Sequence, residues 1–86
     1  MKEFTEYIIE VVGENEVQCY VSKNEDEWLT PHYEDAATYA CYEDAESIVN
    51  IHTEDFKQEL EWDGLILKEI RIYSRTIKLT EIIKED

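Results

Sequence analysis

The sequence predicts an α+β domain in which a small antiparallel sheet is covered on one face by one amphipathic helix, in the order β-β-(β)-α-β-β. Three observations carry this. Apolar residues alternate with a period of two near the N-terminus, they change to spacings of three and four between Tyr42 and Trp62, and partial alternation returns after Gly64.

The first strand is Phe4 to Val12, where Tyr7, Ile9 and Val11 point one way and Phe4, Glu6, Ile8, Glu10 and Val12 the other. Gly13-Glu14-Asn15-Glu16 is a polar break containing glycine, and Val17, Cys19 and Val21 resume the period, so the two segments form a hairpin. Lys23 to Glu27 reads as a solvated loop, and Trp28-Leu29 returns to the core before Pro31, which disfavours helix in the residue before it. The stretch to Tyr39 is open between loop, a short helical turn and a short third strand.

Tyr42, Ala45, Ile48, Val49, His52, Phe56 and Leu60 fall in one stripe of a helix of about five turns. Glu43, Asp44 and Glu46 mark its first turn, where the helix dipole favours carboxylates. Thr53-Glu54-Asp55 could open a second helix, but the stripe keeps its phase across that point and favours a single one. Asp63-Gly64 supplies a left-handed C-terminal cap. Leu65 to Tyr73 and Thr76 to Ile83 are either two strands or one long bent strand with a bulge near Ser74 and Arg75. Nothing resembles a linker, so residues 1–86 are one domain.

The charge is unevenly distributed. Between Asn24 and Asp63 there are 13 carboxylates and one lysine, which accounts for nearly all of the net charge of -14, whereas from Gly64 to Lys84 the five cations Lys68, Arg71, Arg75, Lys78 and Lys84 outnumber Glu69 and Glu81. With 43% hydrophobic residues the chain has the means to fold despite this self-repulsion. Acid argues against direct binding to nucleic acid or anionic lipid, because both begin with phosphate neutralisation by Lys and Arg. No apolar run approaches the ~18 residues that read as a membrane span and no signal-peptide h-region is evident, so the expected location is cytoplasmic. Two isolated cysteines, Cys19 and Cys41, are then expected to be reduced.

Motifs for catalysis are missing: there is no glycine-rich phosphate loop, nucleophile elbow or His-Glu-x-x-His, and the chain reads as a non-enzyme without a cofactor. Cys19, Cys41, His32 and His52 lack the close pairing of zinc ligands. His52 is expected at the core or its edge, bonded to a backbone group, and Trp28 and Trp62 as core-edge packing.

Tyr-Glu-Asp-Ala occurs twice, at Tyr33 to Ala36 and at Tyr42 to Ala45. Each copy can open a helical turn, and paired acids beside a tyrosine also make an adhesive anionic surface. From Glu43 to Asp63 eight carboxylates span about 30 Å of helix, one per ~4 Å, against ~3.4 Å per phosphate along one strand of B-DNA. Glu43, Glu54 and Glu61 share a ridge, with Asp44 and Asp55 on the next.

Tyr7 to Val12, Gln18 to Ser22, Trp28-Leu29, Asp35-Ala36 with Tyr39, and Asp44-Ala45 with Ile48-Val49 give a pattern that resembles small acidic open reading frames of phages and prophages of low-GC Gram-positive bacteria. In size and acidity the chain is also similar to phage-encoded DNA-mimic inhibitors, including anti-CRISPR proteins. The resemblance implies an inhibitor acting in the bacterial host cell on a basic, nucleic-acid-binding protein. The residues expected to make that contact are Glu25, Asp26, Glu27, Glu34, Asp35, Glu43, Asp44, Glu54 and Asp55, with Tyr33 and Tyr42 as anchors. The alternative is a structural or assembly domain that forms a homodimer by strand addition through its C-terminal strands.

Overall fold

A computed structural model describes residues 2–79. Strands β1 (Lys2–Gly13), β2 (Val17–Val21) and β3 (Leu29–Thr30) precede a 3-10 turn at Tyr33–Asp35, helix α1 (Tyr42–Trp62) and strand β4 (Leu67–Leu79). The four strands form one antiparallel sheet in the order β3-β2-β1-β4, and α1 packs on one face, as the hydrophobic periods predict.

β4 is a single strand. It pairs with β1 continuously from Lys2↔Leu79 to Val12↔Glu69, and Ser74 and Arg75 sit in register opposite Tyr7 and Glu6. The irregularity falls instead at Val12/Gly13, where the partner changes from Glu69 to Leu67. Gly13 has the backbone carbonyl of Ile66 3.5 Å from where a Cβ would stand, so the bulge lies where the chains approach closely. The part of the expected strand beyond Leu79 lies outside the described residues.

The hairpin from β1 to β2 turns through Glu14-Asn15-Glu16, with Asn15 at φ 73° and Glu16 at φ 64°. Asparagine tolerates the left-handed region and glutamate does so at a cost.

α1 is one unbroken helix of 21 residues. Thr53 turns its hydroxyl back onto the Val49 carbonyl rather than opening a second helix. The helix ends as predicted, with Gly64 at φ 78°, its N–H donating to the Glu61 carbonyl, and the Leu65 N–H donating to the Leu60 carbonyl at 2.9 Å. That pair of bonds is a Schellman cap. Among the described residues no helix is long and apolar enough to cross a membrane.

The main core lies between sheet and helix: Ile9, Val11, Val21 and Leu29 meet Ala45, Phe56 and Leu60. Phe56 is fully buried. The sheet's other face is not bare. Ile8, Glu10 and Val12 of the central strand are also buried, beneath long side chains from the neighbouring strands. There Tyr20 meets Tyr33 edge-on at 5.5 Å, Arg75 lies over Tyr33 at 4.9 Å and bonds Glu6, and Arg71 reaches Tyr73 and Glu10.

A candidate anionic interface on the helix side

The loop from Ser22 to Trp28 is ordered by its own polar groups. The Ser22 hydroxyl donates to the Glu27 carboxylate at 2.9 Å, the Asn24 amide side chain donates to the same oxygen at 3.2 Å, and the Asn24 backbone N–H donates to the Ser22 hydroxyl. The loop leans towards α1 and the two enclose a cleft of about 410 Å³. Trp28, Tyr39, Ile48 and His52 supply apolar walls, Glu25, Asp26, Glu27 and Glu59 supply carboxylates, and Lys23 adds one cation against four acids. Anionic aromatic walls of this kind suit the stem and charged head of a lysine or arginine side chain.

His52 is half-buried against Trp28, with ring centroids 4.8 Å apart. It differs from expectation in its partner: Nδ1 lies 2.9 Å from the Asp55 carboxylate one turn on, not against a backbone group. Trp28 packs edge-on against Phe56 and keeps one side in solvent. Trp62, expected at the core edge, is 89% exposed. Leu60 takes the inward position, and two further residues carry the side chain about 200° round the helix.

Along the outside of α1, Glu43, Glu54 and Glu61 are exposed and follow one ridge, with exposed Asp44 and partly buried Asp55 beside it. The eight helix carboxylates do not share one face. Glu59 lines the cleft, Asp55 is engaged by His52, and Asp63 caps the helix close enough to Cys19 to raise its thiol pKa, after burial, which is the larger cause. The ridge alone has carboxylates about 16 and 10 Å apart, so a spacing near that of a phosphate strand belongs to the helix as a whole and not to its outer face.

The expected contact residues therefore divide into groups. Glu25, Asp26 and Glu27 lie at the cleft, and Glu43, Asp44, Glu54 and Asp55 on α1. Tyr42 opens α1 and packs edge-on against Tyr7. Tyr33, with Glu34 and Asp35 in the same 3-10 turn, belongs elsewhere: its ring joins Tyr20 and Arg75 on the sheet face away from the helix. Sequence reasoning did not assign Glu59 to the site. Its phase, about two turns beyond His52 on the same flank of α1, is the signal that could have found it.

The distribution of counter-charge sets this surface apart. Arg71 bonds Glu69 at 2.5 Å and Glu10 at 3.4 Å, Arg75 bonds Glu6 at 2.9 Å, and Lys68 pairs with Glu16 at 3.3 Å. These cations neutralise carboxylates of the sheet and hairpin. Among the described residues no lysine or arginine lies within ion-pair distance of Glu25, Asp26, Glu34, Asp35, Glu43, Asp44, Glu54 or Glu61. No protein family, curated protein or solved structure matches the chain.

Proposed function

We propose that the chain is a non-enzymatic acidic interaction protein, an inhibitor that occupies the basic groove of a nucleic-acid-binding protein. The observation that carries this reading is the acid of α1 and of the cleft, most of it without a Lys or Arg ion-pair partner among the described residues, beside a sheet on which Lys68, Arg71 and Arg75 are paired with carboxylates. A partner rich in Arg and Lys would provide the counter-charge that the chain lacks. The ridge of Glu43, Glu54 and Glu61 supplies long-range attraction, Asp44 and Asp55 flank it, and the cleft at Trp28 and His52 receives one cationic side chain. Charge of this density raises association rates more than it deepens the complex, so binding weakens steeply with salt.

The test is affinity capture from a bacterial lysate at two salt concentrations, with the wild-type chain and with a variant carrying Glu43→Lys, Asp44→Lys, Glu54→Lys and Asp55→Lys. None of these four side chains belongs to the core cluster, so the variant keeps its fold by circular dichroism. The reading requires a basic protein held by the wild type at low salt, released at high salt and not held by the variant. Retention by the variant would remove α1 from the interface.

A further inference from the structure

The order β3-β2-β1-β4 leaves β4 with a neighbour on one side only, and among the described residues nothing pairs with its outer edge. The opposite edge, β3, is two residues long, whereas β4 runs for 13. Long free edges are templates for strand addition. We infer that two copies of the chain join along β4, antiparallel about Ile72, into one continuous sheet.

The backbone dictates which groups the edge offers. Tyr7 exchanges both of its backbone hydrogen bonds with Tyr39, at 2.9 Å each, on the side of β1 away from β4. Ser74, opposite Tyr7, therefore directs its own N–H and C=O outwards, and alternation gives the same outward direction to Ile70, Ile72 and Thr76. A twofold axis at Ile72 pairs Ile72 with itself and Ile70 with Ser74 of the other copy, closing roughly six backbone hydrogen bonds.

Charge and ladder length together select this register: an axis at Ile70 also forms ion pairs, Glu69 with Arg71, but overlaps only residues 67–73 of each strand, against residues 67–77 for an axis at Ile72. An axis at Arg71 would oppose Arg71 to itself, and one at Tyr73 would oppose Arg71 to Arg75, both destabilising. An axis at Ser74 opposes no charges but forms no ion pair. An axis at Ile72 places Glu69 of each copy across from Arg75 of the other, and Arg71 across from Tyr73. On the helix side it continues the core past Ile70 and Ile72, which a single chain leaves half-buried at its edge.

The helices fit as well. α1 packs on both β1 and β4. With strands ~4.8 Å apart, the two copies of α1 would lie about 10–14 Å apart, and packed helices need 8–10 Å. The flank of α1 turned towards the other copy is the one opposite the cleft, which carries Glu46, Asn50 and Lys57. That is the flank with the helix's one lysine, but Glu43, Glu54 and Glu61 border it, so the two copies of α1 approach against a repulsion that salt screens.

The pairing does not depend on the proposed inhibitor role, and salt separates the two. Screening relieves repulsion between copies that each carry -14, so the dimer tightens with salt while contact with a basic partner weakens. Sedimentation velocity at about 50 µM in 0.05 M and 0.3 M NaCl should find a dimer that predominates at the higher salt. Ser74→Pro removes an outward N–H and leaves the β1 ladder intact, so it should raise the dimer dissociation constant at least about tenfold with an unchanged circular dichroism spectrum. In a mixed sample of isotope-labelled and unlabelled wild-type chains, a filtered NOE should connect Glu69 Hα of one copy with Arg75 Hα of the other. A monomeric wild type at both salts, or a Ser74→Pro dimer as tight as wild type, overturns the inference. Should Ser74→Pro unfold, the filtered NOE decides, and its absence in a wild-type dimer refutes the register.

Discussion

Arg71→Met should destabilise the fold through Glu10, a carboxylate on the central strand that is 2% exposed. Its charged partner among the described residues is Arg71, 3.4 Å away, and its cross-strand neighbours are Arg71 and Tyr20. Removing one member of a buried pair typically costs 3–5 kcal/mol, because the remaining charge has no compensation. Here the Arg71 side chain is 41% exposed, so water reaches the cation and screens the pair. The expected loss is about 1–3 kcal/mol by urea denaturation followed through tryptophan fluorescence. Glu10→Met in the same background should recover most of that loss, since an apolar pair of similar volume packs between Tyr20 and Tyr73 without desolvating a charge.

A cost below about 0.5 kcal/mol, or a double variant Glu10→Met, Arg71→Met no more stable than Arg71→Met alone, would refute the assignment of Glu10 as a buried charge held by Arg71.

Glu16→Gly should stabilise the chain by about 0.5–1 kcal/mol, because it removes a side chain from the left-handed region at the loss of an exposed pair with Lys68; thermal denaturation checks this. Phe56→Ala should cost about 3–5 kcal/mol, enough to unfold much of a domain this small, and the milder Phe56→Leu keeps the effect measurable by urea titration. The Glu69 carboxyl, held below its ordinary range by the Arg71 guanidinium, stabilises the fold above the unfolded pKa and loses that contribution as pH falls. Its side-chain carbon should titrate at higher pH in Arg71→Met, read by NMR.

Much of this fold is written in local periodicity. The alternation of β1, the hairpin break at Gly13, the three-four stripe of α1 and the Gly64 cap each depend on neighbours a few residues apart, and each appears where its pattern lies. The second face of the sheet was not legible in that way. Glu10 alternates with Ile9 and Val11 like any solvent-facing residue, yet it is buried because Arg71, Tyr73 and Tyr20 arrive from strands distant in sequence. Arg75 meets Glu6 across 69 positions, so its in-register place in β4 could not be separated from a bulge by composition.

The candidate site divides along the same line. Glu43, Glu54 and Glu61 share a ridge by helix geometry alone, and their exposure follows from it. The cleft does not, because it needs the Ser22–Trp28 loop to fold towards α1, and that depends on the Ser22, Asn24 and Glu27 hydrogen bonds. The likeness of the two copies of Tyr-Glu-Asp-Ala predicts one surface for Tyr33 and Tyr42. The sheet then passes between the faces they occupy, since one copy forms a 3-10 turn and the other opens α1.

The central claim is that the uncompensated acid of α1 and the cleft competes with nucleic acid for a basic groove. It is tested most directly by displacement of labelled duplex DNA from the captured partner, followed by fluorescence anisotropy. The wild-type chain should release the DNA, with a potency that falls as NaCl rises. The Glu43→Lys, Asp44→Lys, Glu54→Lys, Asp55→Lys variant should leave it bound. A ternary complex in which DNA and the wild-type chain are held together, or equal displacement by the variant, would contradict the claim.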